Sequence, residues 1–165
     1  MIKRLLFFLP VSIVCIVINS CKKDTQNLIP SLLTGKWQLA SVIVTYKTGS
    51  ATDSTVTVNI PCTQVFTFNA NNTCTYTNFG CITQPAVSGV WSLTPNQLYL
   101  QANLVFKDTT TTGTTSPFKY AQIYNLGHFS LVLETGDILP NYSLTAKRKI
   151  VQYGFINQNS LGTSQ

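Results

Sequence analysis

Charged side chains and histidine are scarce in this 165-residue chain. Only 10% of its residues are charged, 5 of them are acidic, and His128 is the single histidine. Metal centres need clustered ligands, and acid–base catalysis needs oriented titratable groups. We therefore expect no metal, no cofactor and no enzymatic activity, and we interpret His128 as a turn residue between two strands. The length allows one domain of ordinary size.

Basic clusters are equally rare. Within the expected domain, Lys147, Arg148 and Lys149 form the one run of cations. A nucleic-acid interface needs a broader basic surface, so we expect no nucleic-acid partner and place Lys147 and Lys149 on a solvated strand edge. In contrast, threonine occurs 23 times and asparagine 13 times. These residues favour strands and turns, and no helix longer than a turn or two is evident.

The N-terminus has the pattern of an export signal. Lys3 and Arg4 precede the apolar run 5–18. As a helix this run would rise about 21 Å, which is shorter than the roughly 30 Å hydrocarbon core of a bilayer. The run therefore predicts a cleaved signal peptide rather than a permanent span. It ends in Ile18-Asn19-Ser20-Cys21, which resembles a bacterial lipobox.

The lipobox resemblance implies that residues 1–20 are removed and that Cys21 is acylated. A multiply acylated cysteine holds a protein on a lipid bilayer, so the bilayer is the expected partner of Cys21. Residues 21–30 then form a polar tether, and their start resembles that of many Gram-negative surface lipoproteins. We expect a location in the cell envelope, at the outer membrane. The mature chain would keep 9 basic and 5 acidic residues, a net charge of +4.

Three cysteines remain for the exported domain: Cys62, Cys74 and Cys81. They flank or lie within a hairpin over 65–77, for which two registers are plausible. A two-residue turn at Asn71-Asn72 places Cys62 directly opposite Cys81. A three-residue turn over 70–72 places Cys62 opposite Gly80, so that a bulge at Gly80 is needed to bring the two sulfurs together.

Both registers favour a disulfide between Cys62 and Cys81, since Cys74 sits near the hairpin tip. Closing a loop of roughly 20 residues contributes about 3 kcal/mol, mainly by restricting the unfolded chain. Cys74 is then a free thiol.

The rest of the chain is a series of short strand patterns. They occupy the segments 37–47, 55–60, 65–68, 73–77, 87–93, 97–104, 118–125, 129–134 and 143–153. About nine antiparallel strands with polar turns predict a closed barrel or a sandwich, because both protect sheet edges. We assign 31–153 to this domain and 154–165 to a flexible tail.

Two glycine-x-tryptophan pairs carry a family resemblance. Gly35 precedes Trp37 at the first strand, and Gly89 precedes Trp91 in mid-chain. With the hairpin and the lipobox, the chain resembles the lipocalin-like lipoproteins of Gram-negative bacteria. The resemblance implies an all-β, antiparallel, lipocalin-like (calycin-type) barrel of eight or nine strands. It also implies that Trp37 closes one end of the barrel with a late basic residue, for which Arg148 is the candidate.

Two functions fit such a barrel, and of the two we favour the binding of a small ligand, with the accessory role as the alternative. The interior could hold a small hydrophobic ligand, or a filled barrel could serve as an accessory envelope protein that contacts an unidentified protein partner. A contiguous interior cavity of roughly 300 Å³ favours the first function, and a filled interior beside an exposed apolar patch favours the second. The predicted ligand-lining residues are Phe66, Phe68, Trp91, Leu98, Leu100, Tyr120, Tyr124, Leu131 and Leu133.

Overall fold

A computed structural model describes residues 28–108 and 113–158. The predicted signal peptide, the lipidation residue Cys21, most of the predicted tether and the end of the predicted tail lie outside these residues. Within them, two 3₁₀ turns span Phe79–Cys81 and Pro117–Lys119. The remaining elements are α1 (Leu28–Leu33), β1 (Gly35–Thr48), β2 (Ala51–Val58), β3 (Val65–Phe68), β4 (Thr73–Thr77), β5 (Val87–Leu93), β6 (Tyr99–Ala102), β7 (Phe106–Lys107), β8 (Thr114–Thr115), β9 (Ala121–Leu126), β10 (Ser130–Gly136) and β11 (Lys147–Asn157).

Eight strands form a closed antiparallel barrel in the order β1-β3-β4-β5-β6-β9-β10-β11, and β11 pairs with β1 to complete the circle. Each barrel strand pairs with the next barrel strand along the chain. β2 is a ninth strand, which pairs with the same edge of β1 as β3 but further along the strand. β7 pairs with β8 in a separate two-stranded sheet. The predicted lipocalin-like barrel architecture and strand number are therefore confirmed. The sandwich alternative is wrong, because the main sheet closes on itself.

The longest strand, β1, takes part in two structures. Its residues 35–38 pair with β3, whereas residues 42–48 pair with β2. β11 pairs with β1 from Trp37 to Thr48, with a bulge between Leu39 and Ser41. Every residue of β2 is exposed. We call β2, together with 42–48 of β1 and 147–153 of β11, the ribbon, because it continues the barrel wall past β3.

The two ends of the barrel differ. At the lower end, the Trp37 indole N–H donates a hydrogen bond of 2.7 Å to the carbonyl of Leu33, the last residue of α1. Both side chains are fully buried, so α1 covers this end. The upper end carries the ribbon, the Pro117–Lys119 turn and the loop 137–146. Residues 28–30, which the sequence places in the tether, belong to α1.

The hairpin of β3 and β4 has the three-residue turn. Phe68 pairs with Cys74, and Phe66 pairs with Tyr76, so all four side chains point into the barrel. The Asn69 N–H donates to the Thr73 carbonyl at 2.9 Å, and Asn72 has a φ of 62°. Asparagine tolerates this conformation better than most residues, which explains why the turn forms here.

A disulfide joins Cys62 to Cys81, as predicted, with Cα atoms 5.6 Å apart. The predicted strand bulge at Gly80 is replaced by the 3₁₀ turn after β4. Asn78, Gly80 and Cys81 all have positive φ values, of 56°, 64° and 57°. These left-handed residues turn the chain back, so that the Cys81 sulfur reaches Cys62. Cys74 is free and buried.

The C-terminal boundary of the barrel differs from the prediction. β11 continues to Asn157, and its residues 154–157 pair with β1 and β10. Phe155 is almost fully buried in the barrel. Its apolar side chain holds the end of the chain against the core, so residues 154–157 belong to the barrel and not to a flexible tail.

Candidate functional site

The barrel interior contains six of the nine predicted ligand-lining residues. All six are at least 96% buried and belong to one core cluster: Phe66, Phe68, Trp91, Leu100, Leu131 and Leu133. Their strands alternate buried and exposed positions, as the sequence pattern predicts. The prediction of these six as core residues is therefore confirmed.

Aromatic rings fill the upper half of the interior. Phe118, from the Pro117–Lys119 turn, points inward and is fully buried. Its ring centroid lies 5.0 Å from that of Phe66, 5.6 Å from that of Tyr76 and 5.0 Å from that of Tyr153. These distances are those of directly packed rings. Phe118 thus occupies the space that a ligand would need.

Cavities are found outside the barrel. Four of them, with volumes of about 260, 320, 400 and 470 Å³, have linings that include none of the buried aromatic residues. The packed rings around Phe118 are those of a small barrel in which the described side chains occupy the interior.

The other three predicted lining residues face outward. Leu98, Tyr120 and Tyr124 are 52%, 40% and 65% exposed. Leu98 lies in the turn before β6. Tyr120 follows the Pro117–Lys119 turn, where Ala121 and not Tyr120 points inward, and its ring stacks on Tyr99 at 4.6 Å.

Tyr124 faces outward because Ala121 and Ile123 are the inward residues of β9. Alternation from these two residues puts Tyr124 on the opposite face. The sequence pattern assumes that Phe118, Tyr120 and Tyr124 share one face, but the Pro117–Lys119 turn shifts the alternation by one residue. A bulge follows in β9, where β10 pairs Val132 with Asn125 and then Leu133 with Ile123.

Arg148 does not stack on Trp37, so the predicted barrel-closing pair is wrong. The register of β1 and β11 puts Arg148 opposite Lys47, which is ten residues along β1 from Trp37. That separation corresponds to roughly 33 Å of strand. Gly35 and Trp37 lie at the lower end beside α1, whereas Arg148 lies at the upper end.

Arg148 instead belongs to a pair of adjoining cavities on the outer surface. Its guanidinium carbon lies 3.6 Å from the centroid of the Tyr142 ring, and its Nη1 donates to the Asp137 carbonyl at 3.4 Å. One cavity, of about 400 Å³, is lined by Tyr46, Lys47, Asp53, Asp137, Lys147, Arg148 and Lys149. The second, of about 320 Å³, is lined by Gly136, Asp137, Leu139, Asn141, Tyr142, Ala146, Lys147 and Arg148. We call the two together the cationic cleft.

The basic run is exposed and also contributes to the cationic cleft. Lys147 and Lys149 are both exposed on β11, as the sequence predicts, and they line a concave surface with Lys47, a residue distant in sequence. In the sequence, the run Lys147–Lys149 indicates a basic surface, whereas no pattern around Lys47 or Tyr142 indicates that they belong to it. Their involvement follows from the strand register and from the fold of the 137–146 loop.

A second surface feature is an apolar patch on the ribbon. Val58 pairs with Val42, and Val42 pairs in turn with Tyr153; Val56, Val44 and Val151 form the next row. Paired residues share a face of the sheet, so these six side chains point to the same side. Val56 and Val58 are 49% and 41% exposed, because β2 has no further strand beyond it.

Burial suppresses acid–base chemistry in the interior. It raises the pKa of the Cys74 thiol to about 11. It also raises the pKa of Tyr153 to about 12, although a hydrogen bond with Thr135 acts in the opposite direction. Desolvation raises the pKa of Tyr76 still further, and the nearby Tyr153 adds to the effect. All three groups are neutral at pH 7.

Neither a metal site nor a membrane-spanning helix is found among the described residues. His128 lies in the turn between β9 and β10, beside Phe129. Among residues 28–108 and 113–158, no three His, Cys, Asp or Glu side chains come together as a metal site would require. In the same residues, no helix has the length and apolarity needed to cross a bilayer.

Comparison with protein-family models, with curated proteins and with solved structures found no match.

Proposed function

We propose that this chain is a lipid-anchored, non-enzymatic protein of the cell envelope that acts through its outer surface. In this proposal Cys21 carries the lipid, α1 follows the tether, and the barrel is a rigid scaffold for the ribbon and the upper loops. The lipobox-like segment Ile18-Asn19-Ser20-Cys21 supports the anchor.

One observation supports the role of the outer surface over the binding of a ligand inside the barrel. Phe118 enters the interior from the upper end and packs against Phe66, Tyr76 and Tyr153. A ligand would have to displace this buried ring, which costs the free energy of its packing. Val56 and Val58 add two neighbouring exposed apolar side chains on one face of the ribbon.

The anchor is tested by expressing the full chain in a Gram-negative host and measuring its intact mass in the membrane fraction. We expect a chain that begins at Cys21 and carries added acyl groups. Cys21→Ser, the matched control, should lose the acyl mass and keep its signal peptide. A wild-type chain that starts at Met1 without modification would contradict the proposal.

The role of the interior is tested by native mass spectrometry of the full chain, purified from its host in a mild detergent. We expect the mass of the lipidated chain alone after detergent removal in the gas phase. A stoichiometric small apolar molecule that is retained by the folded chain and lost on unfolding would reverse the conclusion and favour ligand binding inside the barrel.

A further inference from the structure

The cationic cleft contains an unbalanced pair of like charges. Lys47 on β1 and Arg148 on β11 are directly opposite in the register, so their side chains share one face of the ribbon. Like charges in this relation repel each other. An anion between or beside them would remove the repulsion.

The two acidic residues of the cleft are engaged with other groups. One Asp53 carboxylate oxygen accepts a hydrogen bond of 2.7 Å from the Thr48 hydroxyl. One Asp137 carboxylate oxygen accepts from the Lys149 backbone N–H at 2.9 Å. The hydrogen bond that Arg148 makes goes to the Asp137 main-chain carbonyl and not to a carboxylate. Lys47, Lys147, Arg148 and Lys149 line the cleft with these two acids. Lys147 and Lys149 alternate with Arg148 along β11, so Lys47 and Arg148 are the two cations that share one face of the ribbon.

Arg148 is held in place, but its Nε lacks an acceptor. Stacking on Tyr142 fixes the plane of the guanidinium. Its Nε is buried and has no hydrogen-bond partner among the described residues. A buried donor without an acceptor is costly, and most such groups in proteins are paired. The acceptor that best fits the planar donor set of arginine is an oxyanion such as a carboxylate or a phosphate.

The size of the cleft fits a small molecule. Its two cavities, of about 400 and 320 Å³, share Asp137, Lys147 and Arg148 in their linings. Each lies within the range typical of small-molecule sites. Tyr46 in one cavity and Tyr142 in the other offer ring surface to the body of a ligand, while the cations meet its charged group.

We infer that the cationic cleft is a binding site for the oxyanion group, a phosphate or a carboxylate, of a small organic molecule or lipid headgroup. The inference rests on the proposed function, because it supplies the recognition site that a protein acting through its outer surface requires. Arg148 is the main anion-binding residue, Lys47 adds charge from the neighbouring strand, and Tyr142 positions the guanidinium.

The test is a titration of the full chain in a neutral detergent, followed through the ¹⁵N-edited NMR signal of the Arg148 Nε–H. The soluble probes are sodium phosphate and sodium citrate, and the lipid probe is phosphatidylglycerol mixed into the micelle. Sodium chloride at matched ionic strength is the reference. We expect a saturable shift with at least one oxyanion probe and none with chloride.

The probes also separate the two sources of the oxyanion. A response to phosphate or citrate assigns the cleft to soluble anions, and a response to phosphatidylglycerol alone assigns it to headgroups; both support the inference. No saturable shift with any probe up to about 10 mM, a concentration that corresponds to very weak binding, would overturn it.

Variants establish whether the cleft is the site, with calorimetric titration of the responding probe as the readout. Arg148→Gln should weaken binding by roughly tenfold or more, the loss expected for charge-assisted hydrogen bonds. Lys47→Gln should weaken it to a smaller extent and gives a second test if Arg148→Gln fails to fold. Lys36→Gln, which removes an exposed cation near the lower end of β1, is the matched control and should change affinity less than about twofold.

Equal losses in Arg148→Gln, Lys47→Gln and Lys36→Gln would show a net-charge effect and overturn the inference. Because anchoring is measured separately by the mass of Cys21, a negative titration would not be confused with failure of the anchor.

Discussion

Buried polar residues at single positions hold the upper part of the barrel together. Gln64 is one of the few buried polar residues, and its side-chain oxygen accepts from the Tyr76 hydroxyl and from the Gly80 N–H, each at 3.2 Å. Its amide nitrogen lies 3.6 Å from the Cys81 sulfur. One side chain therefore links the core ring of Tyr76 to the disulfide turn.

Replacing Gln64 should lower the free energy of unfolding. We expect Gln64→Leu to lower the free energy of unfolding by about 1–3 kcal/mol, because the buried Tyr76 hydroxyl would be left without its partner and the Gly80 N–H would lose its acceptor. Urea unfolding followed by tryptophan fluorescence measures the change. The matched control is Gln101→Leu, at an exposed position of β6, which should stay within about 0.5 kcal/mol of the wild type. Equal effects of the two substitutions would contradict the role given to Gln64.

The free thiol of Cys74 should be inert in the folded protein. Its side chain is fully buried and its pKa is raised to about 11, so little thiolate exists at pH 8 and reagents cannot reach it. Treatment with iodoacetamide at pH 8, followed by mass spectrometry of the peptide containing Cys74, should show labelling in urea but not in buffer. Labelling at similar rates in both would show that the hairpin is not packed as described.

The sequence predicts single residues well where strands are regular and poorly where they are not. Phe66 and Phe68 alternate with polar neighbours, and both are buried as predicted. Tyr124 follows the same kind of pattern but faces solvent, because the Pro117–Lys119 turn shifts the alternation so that Ala121 and Ile123 point inward. Arg148 was paired with Trp37 through a family resemblance, and only the strand register reveals Lys47 and Tyr142 as its neighbours.

At the scale of elements, turns decide how the strands are placed. The turn between β1 and β2 contains Gly49, whose φ is 58° and whose N–H donates to the Ala146 carbonyl at 2.9 Å. A Cβ at this position would lie 2.3 Å from the Leu144 carbonyl oxygen. The glycine thus allows the tip of the ribbon to pack on the 137–146 loop, which forms one wall of the cationic cleft.

Gly49→Ala should disrupt this contact. We expect a loss of about 1–3 kcal/mol from the strained φ and the close approach to Leu144. Hydrogen exchange should accelerate in β2 and in the 137–146 loop before it changes in β3 and β4. Gly127→Ala is the matched control, because a Cβ there would have its nearest neighbour at 4.0 Å, and exchange should be unaffected. Uniform acceleration across all strands in Gly49→Ala would contradict a local role.

Most strands could be predicted from the sequence, whereas the conformations of the turns that connect them could not. Alternation and turn residues indicate β3, β4 and β5 correctly because each is a short strand with one buried face. The sequence predicts a strand that starts at Phe118, since Phe118 and Tyr120 suggest alternation, but the structure has the inward Pro117–Lys119 turn there. A 3₁₀ turn of three residues leaves no periodic signal, so its effect on the following strand is visible only in the structure.

At the scale of the whole molecule, the seam between β1 and β11 closes the barrel. Phe155 lies on the inner face of this seam, and its ring is 6.2 Å from that of Phe66 across the core. Pairing of the first and last strands joins residues more than a hundred positions apart, for example Trp37 and Asn157. The barrel should therefore unfold as a unit when the seam is weakened.

Phe155→Ala tests this expectation. The substitution should lower the free energy of unfolding by about 3–5 kcal/mol, because it leaves a cavity in the core. Ile156→Ala, at the adjacent, 38% exposed position of the same strand, should cost about 1 kcal/mol or less. Far-ultraviolet circular dichroism and tryptophan fluorescence should give coincident urea transitions for both variants. Separate transitions would show that the seam opens independently of the rest.

β1 belongs both to the barrel wall and to the ribbon, and this affects how the molecule resists a pulling force. α1 and Trp37 lie at one end of this strand and the cationic cleft at the other, so a pull between them acts along the strand axis. The β1–β11 hydrogen bonds run across that axis. Such a load must shear many of them at once, whereas a pull across the strands would open them one after another. We expect the molecule to be stiffest in the direction that joins α1 to the cationic cleft.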